Sequence, residues 1–79
     1  MNEIEIFCNN VRLLRRTFHL SEKEMAKKMG ISVGSLTKLE SGVLPSRLTH
    51  EVLIYIYHNF TITPQRMFSP LSETDLADL

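Results

Sequence analysis

The sequence holds a single cysteine, Cys8. No disulfide can form within it, and a lone thiol is expected in a reducing cytoplasm. Long apolar runs are also missing. The longest, VLIYIY at residues 52–57, falls well short of the ~20 residues that cross a bilayer, so no membrane partner is expected. The first residues carry Glu3 and Glu5, unlike the basic start of a secretory or transit segment. Cys8, His19, His50 and His58 are scattered along the chain, at no spacing that suits a metal site or a catalytic triad. No enzyme activity, cofactor or small-molecule site is expected. No effector domain fits in 79 residues, so any sensing would need another protein. A chain of this length implies one domain that buries only ~60% of its unfolded surface, so stability should be modest and a partner chain would add to it.

Neither sign of charge is in excess, since the formal net charge is zero. The distribution is uneven all the same. Residues 11–47 carry eight bases (Arg12, Arg15, Arg16, Lys23, Lys27, Lys28, Lys38, Arg47) against Glu22, Glu24 and Glu40, a net of +5. Glu3 and Glu5 precede them, and Glu73, Asp75 and Asp78 lie near the other end. A basic segment between acidic ends suits either a polyanion or an ordinary mixed-charge surface.

The apolar residues recur at helical spacing. Phe7, Val11, Leu14 and Phe18 form one stripe of a helix over residues 4–18, with Ile6 and Leu13 on a minor second face. Ser21 and Glu24 make the S-x-x-E pattern that caps a second helix. Met25, Ala26 and Met29 face inward, and Gly30 suits the left-handed position that ends it. Ser32 caps a third helix over residues 33–40. Leu36 and Leu39 are its buried side, and Ser41-Gly42 its end. VLPS, residues 43–46, is a connector. Residues 47–60 read as a fourth helix with Leu48, Val52, Leu53, Ile56 and Phe60 on one side. A buried strand is the competing reading of VLIYIY, but helical spacing extends through the whole segment. Thr63-Pro64 starts a short fifth helix through Phe68, and Ser69-Pro70 stops it. Residues 1–70 are expected as the domain, and residues 71–79 as an acidic, flexible tail.

The second and third helices are joined by a turn of about three residues centred on Gly30, which is a helix-turn-helix arrangement. The small Ala26 stands where the two helices cross. The motif L-S-x-x-E-x-A-x-x-x-G-I-S-x-x-x-L-x-x-x-E-x-G, residues 20–42, resembles the lambda-repressor and Cro-like helix-turn-helix family, also called the xenobiotic-response-element family. The likeness runs from about Phe7 to Phe68. It implies an all-α fold, a compact five-helix bundle. It also implies a small DNA-binding transcriptional regulator, repressor-like, that occupies double-stranded DNA as a homodimer.

The resemblance assigns roles by position. Arg15 and Glu40 match an ion pair that locks the first helix onto the third. Val33, Gly34, Thr37 and Lys38 face the bases of the major groove, and Ser32, Ser35, Ser41, the Gly42 amide and Arg47 face phosphates. Ser21, Lys23 and Lys27 join them from the second helix. Two positions depart from the family pattern. Valine and glycine stand at Val33 and Gly34, where hydrogen-bonding residues are common. A valine only touches a thymine methyl, and a glycine only permits close approach, so readout falls on Lys38 and Thr37. Glu22 stands where glutamine commonly meets a phosphate, and its charge repels the backbone. These departures favour an alternative, a helix-turn-helix module for protein contact with DNA binding weakened or lost. Ile54 and Tyr57 lie off the core stripe and are dimer candidates, unless Leu71, Leu76 and Leu79 of the tail cover them.

Overall fold

A computed structural model describes residues 2–43 and 50–77. Six helices follow one another: α1 (Glu3–Thr17), α2 (Glu22–Met29), α3 (Val33–Glu40), α4 (His50–Phe60), α5 (Pro64–Met67) and α6 (Glu73–Ala77). No strand occurs among the described residues, and helical spacing prevails over the strand reading of VLIYIY. The radius of gyration is 11.2 Å, against about 11.6 Å for a compact chain of this length. The expected VLPS connector beyond Val43, the start of the fourth helix with Arg47 and Leu48, and Leu79 lie outside the described residues.

The stripe of α1 supplies the centre of the core: Phe7, Val11 and Leu14 have no exposure. Met25, Ala26 and Met29 of α2, Leu36 and Leu39 of α3, and Val52, Ile56 and Phe60 of α4 close around it. Phe18 is the exception on the expected stripe. It caps α1 rather than continuing it, remains 40% exposed, and lays its ring against Phe60 at 5.5 Å between centroids. Cys8 is buried beside Phe7, and burial pushes its thiol pKa up. That favours the neutral, unreactive form.

One polar residue lies on the buried side of α1. Asn10 is 3% exposed, three residues after Phe7. Its Nδ2 donates to the carbonyls of Met67 (2.8 Å) and Ser69 (2.9 Å), and its Oδ1 accepts from the Leu71 amide (3.2 Å). One amide side chain thus ties the segment after α5 to α1.

That tie stands at the start of the segment expected as a flexible tail. The chain continues into α6, and Leu76 is 3% exposed within the core. Ser72 and Asp75 form a reciprocal cap. The Asp75 amide donates to Ser72 Oγ (3.2 Å), and the Ser72 amide donates to Asp75 Oδ2 (2.9 Å). That bond holds the Asp75 carboxyl below its ordinary pKa. The bundle gains a sixth short helix on the five expected, because Leu76 has apolar surface on α1 to bury. Ile54 and Tyr57 remain 48% and 49% exposed, so Leu71 and Leu76 do not cover them.

Candidate nucleic-acid interface

The interface begins with the two caps that set the helix ends. Ser21 Oγ accepts from the Glu24 amide and Glu24 Oε1 accepts from the Ser21 amide, both at 3.1 Å. The Ser21 amide holds the exposed Glu24 carboxyl below its usual pKa, so the cap is charged at neutral pH. Gly30 ends α2 with φ +71, a left-handed conformation that costs other residues ~1–2 kcal/mol. The Ile31 amide then bonds Ala26 O at 3.0 Å, and the chain turns. Ser32 starts α3 by accepting from the Ser35 amide at 3.1 Å.

A second constraint on the turn comes from α4. A Cβ on Gly30 would lie 2.6 Å from the Tyr55 ring. Asn59 Nδ2 donates to Lys28 O (3.0 Å) and to Tyr55 O (2.9 Å). Tyr55 and Asn59 therefore hold the turn against α4. Neither is apparent from the sequence pattern, because both lie off the core stripe of α4 and reach their partners only through tertiary packing.

The end of α3 is fixed by an ion pair. Arg15 Nε bonds Glu40 Oε2 at 2.8 Å and Arg15 Nη2 bonds Glu40 Oε1 at 3.0 Å. The side chains are 31% and 14% exposed. A two-pronged contact of this kind fixes orientation as well as distance. Glu40, through these bonds, raises the Arg15 pKa further, so the guanidinium stays charged. These bonds join the end of α1 to the end of α3.

Between these supports α3 exposes Val33, Gly34, Thr37 and Lys38. Space around Gly34 is open, with only Ser32 Oγ as near as 4.0 Å to a Cβ placed there. The Thr37 hydroxyl donates to Val33 O at 3.0 Å. While that bond stands, Thr37 offers an approaching group only lone pairs. Lys38 is then the one charged donor on this face.

Hydrogen-bond accounting also sorts the expected phosphate contacts. Ser32 Oγ donates to Ser35 Oγ (3.0 Å), and Ser41 Oγ donates to Lys38 O (2.7 Å). The Gly42 amide donates to Leu39 O (3.0 Å). These three donors are engaged within the chain. Ser21 Oγ accepts from the Glu24 amide, and Ser35 Oγ shares its bond with the Ser32 hydroxyl. Lys23 is exposed on α2. Lys27 lines a cleft between α2 and α4 with Glu24, Lys28, Tyr55 and Asn59. Glu22 is exposed at the first turn of α2, where its charge suits the helix dipole. Arg47 lies outside the described residues.

Among the described residues, no group of three or more His, Cys, Asp or Glu side chains is placed to hold a metal. No helix there is long and apolar enough to cross a membrane. Residues 11–54, more than half of the chain, match the helix-turn-helix family. No curated protein and no solved structure matches the chain.

Proposed function

This chain belongs to the helix-turn-helix family, whose members are DNA-binding regulators, and on that premise we propose that it binds double-stranded DNA as a small repressor-like regulator in the cytoplasm. The observation that carries the reading is the mounting of α3. Its start is capped by Ser32, its end is tied to α1 by Arg15–Glu40, and its outer face is exposed. In this reading α3 lies in the major groove. Lys38 donates to guanine O6 or N7, Val33 meets a thymine methyl, and Thr37 accepts from an exocyclic amine. Ser21, Ser35 and Lys23 hold phosphates, with Lys27 and the segment around Ser41 beside them. Specificity is modest, because Val33 and Gly34 offer no side-chain hydrogen bond.

The regulator acts as a homodimer. Ile54 and Tyr57 are half exposed on α4, and a second copy would bury them and set two half-sites about one helical turn apart. The competing reading, a protein-contact module, draws on Val33, Gly34, Glu22 and the zero net charge. Binding to random duplex measured against salt separates the two. DNA binding requires a steep negative slope of log affinity on log salt, and a flat, weak response leaves only the protein-contact reading.

Two substitutions test the parts. Lys38→Ala should weaken the preferred duplex by about 1–3 kcal/mol and relax preference at one base pair. Unchanged affinity and salt slope would remove Lys38 from the interface. Glu40→Ala leaves Arg15 without its partner at the end of α3. Breaking a buried pair costs ~3–5 kcal/mol, and the partial exposure of this one reduces that to about 1–2 kcal/mol. Melting temperature and DNA affinity should fall together. If neither changes, the pair has no part in presenting α3.

A further inference from the structure

Beside the Arg15–Glu40 pair is a second concentration of positive charge. A cleft of about 210 Å³ opens between the end of α1, the α1–α2 turn and the end of α3, lined by Arg12, Arg15, Arg16, His19, Leu20 and Glu40. Glu40 is the only carboxylate among the described residues of this lining, and Arg15 holds both its oxygens. Arg12 donates to Asn9 Oδ1, a neutral acceptor, and forms no ion pair among the described residues. Arg16 is exposed and forms no ion pair among the described residues. Arg12 and Arg16 also line the adjoining groove along α1, where no described lining residue is acidic. Glu22 is the other acid that acts on Arg15 across space.

The backbone adds an independent sign. His19 has φ +54. Its amide bonds Arg16 O at 3.2 Å, and the Leu20 amide bonds Arg15 O at 2.9 Å. This is the helix-ending geometry that normally selects glycine. Histidine tolerates it better than most residues but still carries strain. This residue, strained in its backbone, lines a cleft of arginines, and strain at such a place points to a ligand.

We infer that this cleft grips a phosphate: Arg16 and Arg12 supply the charge, His19 supplies an imidazole N–H, and the ligand is a DNA backbone phosphate flanking the C-terminal end of α3. The inference rests on the DNA-binding reading for the source of the phosphate. Chemically the same groups would take a free inorganic phosphate. Glu40 does not repel it, because Arg15 neutralises that carboxylate. A phosphate held here adds affinity without sequence information. It offsets what Val33 and Gly34 withhold at the other end of the helix.

The test uses the full chain and two substitutions, Arg16→Gln and His19→Gly, singly and together. His19→Gly removes the imidazole and also the strain, so it should melt at or above the wild-type temperature and yet bind DNA more weakly. The double variant should lose about tenfold in affinity for every duplex. Its slope of log affinity on log salt should fall by about 0.9, and the ratio between preferred and random duplex should not change. In parallel, inorganic phosphate is titrated into the wild-type protein while the side-chain NMR signals of Arg16 and His19 are followed. If the wild type binds duplex and the double variant matches it in affinity and slope, the inference is overturned and the DNA-binding reading stands. If the wild type binds no duplex but phosphate moves both signals, the cleft is a free-phosphate site and the DNA-binding reading fails. If there is neither duplex binding nor a phosphate response, both fail.

Discussion

Asn10→Asp should destabilise the protein by about 3 kcal/mol at neutral pH, more than any surface substitution. The change is one atom in size, so no cavity explains it. Asn10 Nδ2 donates to Met67 O and Ser69 O. A carboxylate there would point lone pairs at two carbonyls, in a site that is 3% exposed. Only the bond from the Leu71 amide to the remaining oxygen survives the exchange. The loss should depend on pH, and the sign follows from burial. Desolvation raises the folded-state pKa of the introduced carboxyl above its unfolded value of about 3.9. A group raised on folding favours the folded state most below its unfolded pKa. That contribution is lost as pH rises through the folded value. The protonated acid also restores one donor. Denaturant unfolding of variant and wild type at pH 4.5 and pH 7 reads this directly. The difference between them should be larger at pH 7. An equal difference at both would mean that Asn10 does not tie the C-terminal segment as described.

The second large effect is expected at the turn. Gly30→Ala should cost about 2–3 kcal/mol. Part is backbone strain, since Gly30 has φ +71. The rest is contact with Tyr55, whose ring carbons lie 2.6 and 2.7 Å from where a Cβ would be. That ring is 46% exposed, so it can swing outward, at the cost of the packing that holds α4 on the turn. A double-mutant cycle separates the two parts. In a Tyr55→Ala background, Gly30→Ala should cost only the backbone strain, about 1–2 kcal/mol. DNA affinity should fall with the single substitution because the angle between α2 and α3 changes. Full additivity of the two substitutions would show that Tyr55 does not brace the turn.

The turn also shows where reading the sequence succeeds. Ser21, Glu24, Ala26, Gly30, Ser32, Leu36 and Leu39 each satisfy a local rule of capping, helix ending or apolar spacing. Those rules act over a few residues. The structure realises them, and the Arg15–Glu40 pair implied by the resemblance is present in two-pronged form. Tyr55 is different in kind. Its partner is 25 residues away in the chain, and its place on Gly30 follows from how α4 docks, which no local rule encodes. Asn10 left a readable sign, since it stands three residues after Phe7 on a buried stripe. A polar residue there needs partners, though the sequence does not name them. For α6 the sign was plain. Ser72 and Asp75 repeat the spacing of Ser21 and Glu24, and Leu76 follows. The flexible-tail expectation rests on the acidic composition near the chain end, and α6 rests on this cap and on the burial of Leu76. The face of α3 is legible in another sense. The resemblance names Val33, Gly34, Thr37 and Lys38, and only the structure shows that the Thr37 hydroxyl donates to Val33 O.

The central claim is that α3, mounted between Gly30 and the Arg15–Glu40 pair, reads double-stranded DNA with modest specificity and strong help from phosphate contacts. Selection of the full chain on a random duplex library at moderate salt tests it most directly. The account predicts enrichment of a short inverted repeat, with half-sites about one helical turn apart and a guanine where Lys38 reaches. No enrichment, together with no salt-dependent binding to any duplex, would contradict it.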